Sequence, residues 1–351
     1  MITREEIRAW QMTNQHLMEK ADPMDVVQDL CGLQAQIASY ALHGLHIRAE
    51  VPDGGWLGRH LMRNWTIRGT MHLFAKEDAP LFLSALSGQN LLSRDWSKPS
   101  FWNQRSYWRL TPKRQGYLAD IILHALENGP LPREKLKDIC RKAGMTEAEE
   151  GSMFDSWGGG IREMCERGFI HYTAESEKSL ELTPSFDSIE RKMAQRMLAE
   201  RYFHHYGPAT LHDLMYFFHL PAKMVKEWIC ELPLQTVVCE EKTYFYINKM
   251  SDTKNIPEFI YLAGFDPLLL GHEKNESLYL DAAHIRSVFT LSGMVAPTLL
   301  IDGKVAGKWK KEQKSMTVTP FVSLSTLQKT RAEEAARRMY PDLCRVNFTE
   351  K

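Results

Sequence analysis

Two uncharged amides, Gln34 and Gln36, flank a single alanine in the segment GLQAQ, residues 32–36. An amide does not titrate, so neither side chain can serve as a general base. Each offers an oxygen that accepts and a nitrogen that donates hydrogen bonds. Such a pair could be filler, a structural hydrogen-bonding pair, or a device for holding water. Two further groups carry charge or titrate nearby in the chain. The stretch TIRGTMHLF, Thr66 to Phe74, reads as a strand whose period of two places Ile67, Met71 and Leu73 on one face and Arg68, Thr70 and His72 on the other. Arg68 and His72 are candidates for binding phosphate. His72 could instead support the glutamines or be a satisfied core histidine. Late in the chain Lys304, Lys308 and Lys310 follow an Asp302-Gly303 dipeptide. They could contact phosphates from an exposed hairpin or simply line a solvated edge.

The elements that must position these residues are signalled locally. Thr3 and Glu6 form a capping-box pattern ahead of a first helix with Ile7, Trp10, Asn14, Leu17 and Met18 at helical spacing. Asp22-Pro23 reads as N-cap and first helical residue of a second helix, which carries Val27, Leu30, Cys31 and Gln34 along one stripe. In a continuous helix, residues i and i+2 point about 200° apart. The two glutamines could then not face one water. Cooperation between them predicts that the helix ends or distorts between Gln34 and Ile37, where Gly32 and Ser39 favour a break. Otherwise Gln34 caps backbone groups and Gln36 is solvated. A third helical segment runs through Ala41, Leu42, Leu45 and Ile47, and the strand at Thr66 follows.

The middle of the chain repeats itself. Gly129-Pro130 and Gly207-Pro208 each follow a long helix (Pro112 to Glu127, Glu190 to His205) and precede an amphipathic helix. A third helix comes next (Gly151 to Arg167, Ala222 to Glu231), then an apolar and aromatic stretch suited to a hairpin. Three helices plus a two-stranded wing, written twice, is the helix-turn-helix plan. From about Asn255 the chain turns β-branched, through IYLAGFDPLLLGH, RSVFTLSG and MVAPTLLIDGKVAGKWKK, with Asp302-Gly303 favouring a type I′ turn. Ser325 to Met339 reads as a closing helix. The expected architecture is α+β: three tandem winged-helix units and a small β-rich, barrel-like domain. The boundaries fall at 1–110, 111–188, 189–254 and 255–351.

Formal net charge is zero, whereas nucleic-acid binders are often strongly basic. Charge is nonetheless segregated: residues 105–142 hold nine Lys and Arg against four acids, and residues 301–314 five lysines against two acids. Aromatics Trp96, Phe101, Trp102, Tyr107 and Trp108 alternate with Arg94, Arg105 and Arg109. This mixture suits base stacking or a packed linker. The six cysteines are scattered without a C-x-x-C, and the adjacent His204-His205 lacks a companion at ligand spacing, so no metal and no cofactor is expected. No apolar run long enough to span a membrane and no leader-like N-terminus is present; the expected location is the cytoplasm.

Five segments in order, GLQAQ (32–36), RGTMHL (68–73), AERYFHHYGPAT (199–210), FDPLLLGH (265–272) and GMVAPTLLIDGKVAGKW (293–309), resemble the AlkZ/YcaQ group of winged-helix DNA glycosylases over essentially the whole chain. The resemblance implies hydrolysis of the N-glycosidic bond of cationic alkylpurines of the N7-alkylguanine type, with interstrand crosslinks unhooked by some members. It implies a monomer acting on double-stranded DNA. It also implies that Gln34 and Gln36 form the catalytic Gln-x-Gln motif that holds a water at C1′. The other class of reading is a non-catalytic tandem winged-helix regulator, which would bind a specific sequence and usually dimerise over two half-sites.

Overall fold

The computed structural model describes residues 2–98, 109–176, 178–248 and 255–349. Phe101, Trp102, Arg105, Tyr107 and Trp108 of the aromatic stretch lie outside the described residues. The fold is mixed α+β and divides into two compact units. One combines Met1–Val51 with Ala199–Lys351, and the other is Pro52–Leu198.

The first unit opens with helix Arg4–Asn14, capped as the sequence indicates: the Thr3 hydroxyl accepts from the Glu6 amide while the Glu6 carboxylate accepts from Thr3 N–H at 2.7 Å. The helix stops at Asn14, so Leu17 and Met18 lie beyond it; His16, at φ 57°, turns the chain away. Asp22 caps helix Pro23–Asp29, and helix Ala38–His46 follows. After helix Arg191–His205, which crosses the boundary between the units, come helices Leu211–Phe218 and Ala222–Ile229 and the hairpin Gln235–Cys239/Lys242–Tyr246. A five-stranded sheet closes the unit in the order Arg345–Phe348, Ser315–Pro320, Lys304–Glu312, Thr298–Ile301, Phe259–Leu262. Asp302 and Gly303 both have positive φ (48° and 74°), as a type I′ turn requires. The stretch RSVFTLSG contributes no ladder strand: Ile285–Val288 is a short helix, and Phe289 makes one isolated bridge to Val295. Helix Thr326–Met339, capped by Ser325, packs on this sheet, with the Tyr261 hydroxyl donating to the Ala332 carbonyl at 2.9 Å.

In the second unit, Met71–Ala75 pairs with Leu61–Trp65, which pairs with Ile170–Thr173, then Ser179–Leu182, then Leu131–Pro132. The helix expected over 151–167 is two: Glu147–Met153 and Gly159–Glu166, separated where Gly158 and Gly159 take positive φ. The core gathers Leu118, Ile122, Leu136, Met153, Met164 and Ile170. The sequence repeat is a structural one. The residue two past each Gly, Leu131 and Ala209, bridges the second strand of its own hairpin, at Leu180 and Phe245.

All six cysteines are free; four are buried, and Cys230 and Cys344 are exposed. Among the described residues no helix is long and apolar enough to cross a membrane.

One buried titratable group sets a pH dependence. His43 accepts or donates at both ring nitrogens, to the Tyr340 hydroxyl (2.6 Å) and the Tyr261 carbonyl (2.7 Å). A carbonyl only accepts, so Nε2 carries the proton and Nδ1 accepts from the phenol. Burial holds its pKa below the ordinary value, outweighing the bond to Tyr261 and the pull of Asp266, with Arg48 and His46 adding repulsion. The unfolded chain thus takes up a proton near pH 6.5 that the folded chain refuses. Stability is full above that pH and is lost as pH falls through it toward the folded value. The expected result is a urea midpoint that falls from about pH 7.5 to about pH 5, with a shallower fall in His43→Gln. Equal slopes in the two proteins would remove His43 from the account.

Candidate active site

The helix that leads into GLQAQ ends earlier than the hydrophobic stripe suggests. Helix Pro23–Asp29 closes with the amide of Gly32 on the carbonyl of Val27 (2.9 Å) and that of Cys31 on Gln28 (3.0 Å). These are the two bonds of a Schellman motif, with Cys31 at φ 53° in the left-handed position and Gly32 beyond it at 77°. Gln34 is therefore not on a helix. It lies in the extended pair Leu33–Gln34, and the next helix begins at Ala38. In extended backbone, residues i and i+2 point to the same side. The geometric objection raised by a helix disappears: Leu33 and Ala35 are buried, while Gln34 and Gln36 share the other side. The two side chains meet, with Gln34 Nε2 donating to Gln36 Oε1 at 2.9 Å. Gln34 is 8% exposed and Gln36 is open to solvent. Donation by Gln34 aims one amide at the other and leaves a second lone pair on Gln36 Oε1 for another donor.

What fixes this segment comes from the AERYFHHYGPAT motif. Arg201 donates to the carbonyl of Gln28 (3.0 Å) and the Tyr206 hydroxyl to the carbonyl of Leu30 (2.8 Å). The Leu30 carbonyl, at the helix end, gains a partner, and the Gln28 carbonyl, already bonded by the Cys31 amide, takes a second donor. Tyr206 stacks on Tyr202 with centroids 5.0 Å apart, and the Tyr202 hydroxyl donates to the carbonyl of Gly271. A Cβ at Gly271 would fall 2.2 Å from the Tyr206 ring, so only glycine fits. The next residue, His272, contacts the Tyr206 carbonyl through Nε2 at 3.1 Å. FDPLLLGH thus braces AERYFHHYGPAT, which braces GLQAQ. Arg201, Tyr202 and Tyr206 were not singled out from sequence; the clustering of aromatics with a lone arginine in one motif was the available signal.

The remaining candidates sit differently from expectation. Thr66–Thr70 is a turn rather than strand, and the strand proper is Met71–Ala75. The Gly69 amide bonds the Thr66 carbonyl there, and Gly69 supplies positive φ. Arg68 is buried and its Nη1 lies 2.8 Å from His72 Nε2; His72 is fully buried, with Nδ1 on the Thr70 carbonyl at 3.0 Å. Arginine only donates, so His72 accepts at Nε2 and carries its proton on Nδ1. His72 is thus buried with both ring nitrogens bonded, the satisfied core histidine of the three alternatives. In the lysine hairpin the register slips between Leu299 and Leu300, pairing Lys304 with Ile301 and Lys308 with Thr298. Those partners lie on opposite faces of the sheet, so Lys304 points away from the side shared by Lys308 and Lys310. Lys310 pairs with Glu312. A cavity of about 970 Å³ in the first unit takes in Ser39, Leu42, His46 and Tyr340 but neither glutamine.

A chain of this architecture has a solved counterpart among enzymes that remove bases from DNA. The DNA glycosylase AlkZ of Streptomyces sahachiroi matches it with a TM-score of 0.79 over 99% of both chains, at 23% identity. The chain belongs to the AlkZ-like DNA glycosylase family, whose model ("DNA glycosylase AlkZ-like") matches residues 27–341. It is similar as well to a characterised relative of the same organism, the "Interstrand DNA cross-link repair glycosylase", at 26% identity over 94% of each sequence. The protein is accordingly a DNA glycosylase, and the regulator reading gives way.

Proposed function

We propose that this glycosylase excises cationic alkylpurines of the N7-alkylguanine type from double-stranded DNA and unhooks interstrand crosslinks, with Gln34 and Gln36 holding the hydrolytic water. The observation that carries this reading is the extended backbone at Leu33–Gln34, which lets both amides reach one point, as their 2.9 Å bond records. An N7-alkylguanine is already positively charged. Its base departs neutral, so no general acid is needed. What remains is to place a water at C1′ and to face the oxocarbenium-like sugar with fixed dipoles, which amide oxygens do. The "cross-link repair" in the relative's name supports the second activity, since a crosslink through N7 presents the same cationic leaving group.

The same reading carries the architecture and the contacts. The repeated bridge from Leu131 and Ala209 to their hairpins supports winged helices at 111–188 and 189–254. The remaining winged helix is placed at 1–110 on the sequence pattern alone, and the β-rich domain at 255–351 takes in the five-stranded sheet. Lys304 on one side of the hairpin and Lys308 and Lys310 on the other suit phosphates of the two strands flanking a groove. Arg68 and His72 act as a brace of the Thr66–Thr70 turn. The enzyme works as a monomer and needs no cofactor.

The test is leaving-group chemistry. Duplex DNA with one N7-methylguanine is expected to lose free base and keep an alkali-labile abasic site. The same duplex carrying guanine or a neutral adduct stays intact. General acid–base help is worth about 10²–10⁴-fold, and an amide pair lacks it. Comparable rates on cationic and neutral lesions would overturn the proposal.

A further inference from the structure

We infer that His16, Asp29 and His205 form a structural site for a divalent transition-metal ion, zinc being the best match to the donor set. No spacing in the sequence announces it, because two of the residues end separate helices and the third lies in the turn after another. His16 Nε2 lies 2.8 Å from one oxygen of Asp29, and His205 Nε2 lies 3.2 Å from the other. The ligand atoms of all three fall within 4.8 Å of one another. Two ligands on one tetrahedral ion at about 2.0–2.1 Å stand roughly 3.3 Å apart, so these separations need little adjustment. Two imidazoles and a carboxylate are a set that zinc accepts, with water in the remaining position.

Two further features point the same way. Asp29 and His205 are the last residues of helices Pro23–Asp29 and Arg191–His205, and His16 follows the end of Arg4–Asn14 by two residues. Three helix C-termini, each the negative end of its dipole, therefore converge where a carboxylate also sits. That arrangement favours a cation. The outer contacts are in place too: His205 hydrogen-bonds the main chain of Asn14, whose side-chain amide donates to the carbonyl of Gly207 at 2.9 Å. Second contacts of this kind orient a metal-binding histidine. The three side chains are 20–25% exposed, leaving the ion a way in. An ion held here fastens the end of the helix that leads, through the Schellman turn, to Gln34.

The experiment uses the full chain, free of any purification tag and stripped with a chelator. Calorimetric titration with Zn²⁺ is expected to saturate at one ion per chain. Co²⁺ is expected to give the absorption of a four- or five-coordinate ion without a thiolate charge-transfer band, which excludes the cysteines. At about a hundredfold excess over Kd, zinc should raise the melting temperature by on the order of 5 °C. Asp29→Asn should weaken binding at least about 100-fold. His16→Asn tolerates the left-handed backbone and should do the same, and His205→Gln serves if either variant melts before titration. Absence of saturable binding overturns the inference, as does one ion held equally well by the variants. Because the readout is binding rather than base excision, failure here leaves the glutamine mechanism standing.

Discussion

Gln34→Ala is expected to slow release of N7-methylguanine by on the order of 10²-fold, about 2.7 kcal/mol of barrier, with DNA affinity nearly unchanged. Gln34 Nε2 holds Gln36 Oε1 at 2.9 Å. Remove it, and the surviving amide loses the partner that fixes its rotamer. A water held by one swinging amide no longer has a lone pair trained on C1′, and misplacement of a reacting group by about 1 Å already costs about 10²-fold. Gln36→Ala should fall by a similar factor. The double variant should be little slower than either single one, because residues that act as a unit do not contribute additively. Single-turnover excision at saturating enzyme isolates the chemical step. Wild-type rates in both single variants would end the glutamine mechanism, and a multiplicative double variant would show that the two amides act separately.

The reach of sequence reading can be judged on these same residues. Thr3, Asp22 and Asp302-Gly303 announced their caps and turn correctly, because each is decided by atoms within three residues of itself. The backbone at GLQAQ was half legible. A break was demanded by the need for two amides to converge, but it was expected between Gln34 and Ile37 and occurs at Leu30. A non-glycine residue, Cys31, occupies the left-handed position, and residue type alone gives no warning of that. Arg68 and His72 were read onto the polar face of a strand because an alternating pattern was carried through what is a turn. The lysine hairpin was placed correctly, yet the bulge that separates Lys304 from Lys308 depends on pairing register, which the strand's own sequence does not contain. Arg48 and Asp266 escaped altogether, being 218 residues apart in the chain.

That last pair carries the largest expected effect on stability. Asp266→Ala is expected to cost about 3–5 kcal/mol, on the order of 10 °C in the melting of the unit that contains it. Arg48 and Asp266 are fully buried and meet through two bonds, Nη2–Oδ1 at 2.7 Å and Nη1–Oδ2 at 3.0 Å. Arg48 also donates to the carbonyls of Gln15 and Gly44, both at 2.9 Å, and Asp266 caps helix Pro267–Leu270 through the Leu268 amide. Truncating the carboxylate leaves a guanidinium buried without its counter-charge, and that uncompensated charge rather than the lost attraction dominates the cost. Removing both charges should therefore be milder than removing one. Arg48→Met combined with Asp266→Asn, which keeps a capping oxygen, should recover a good part of the loss. Urea denaturation of the two single variants and the double measures the coupling directly. A double variant as unstable as the sum of the singles would mean that the pair contributes only separate packing. The consequence extends to the active site: Asp266 begins the segment whose Gly271 and His272 hold Tyr202 and Tyr206, and Tyr206 holds the carbonyl of Leu30. Below its melting temperature Asp266→Ala should thus lose excision faster than it loses folded protein. The recovered double variant should regain both together.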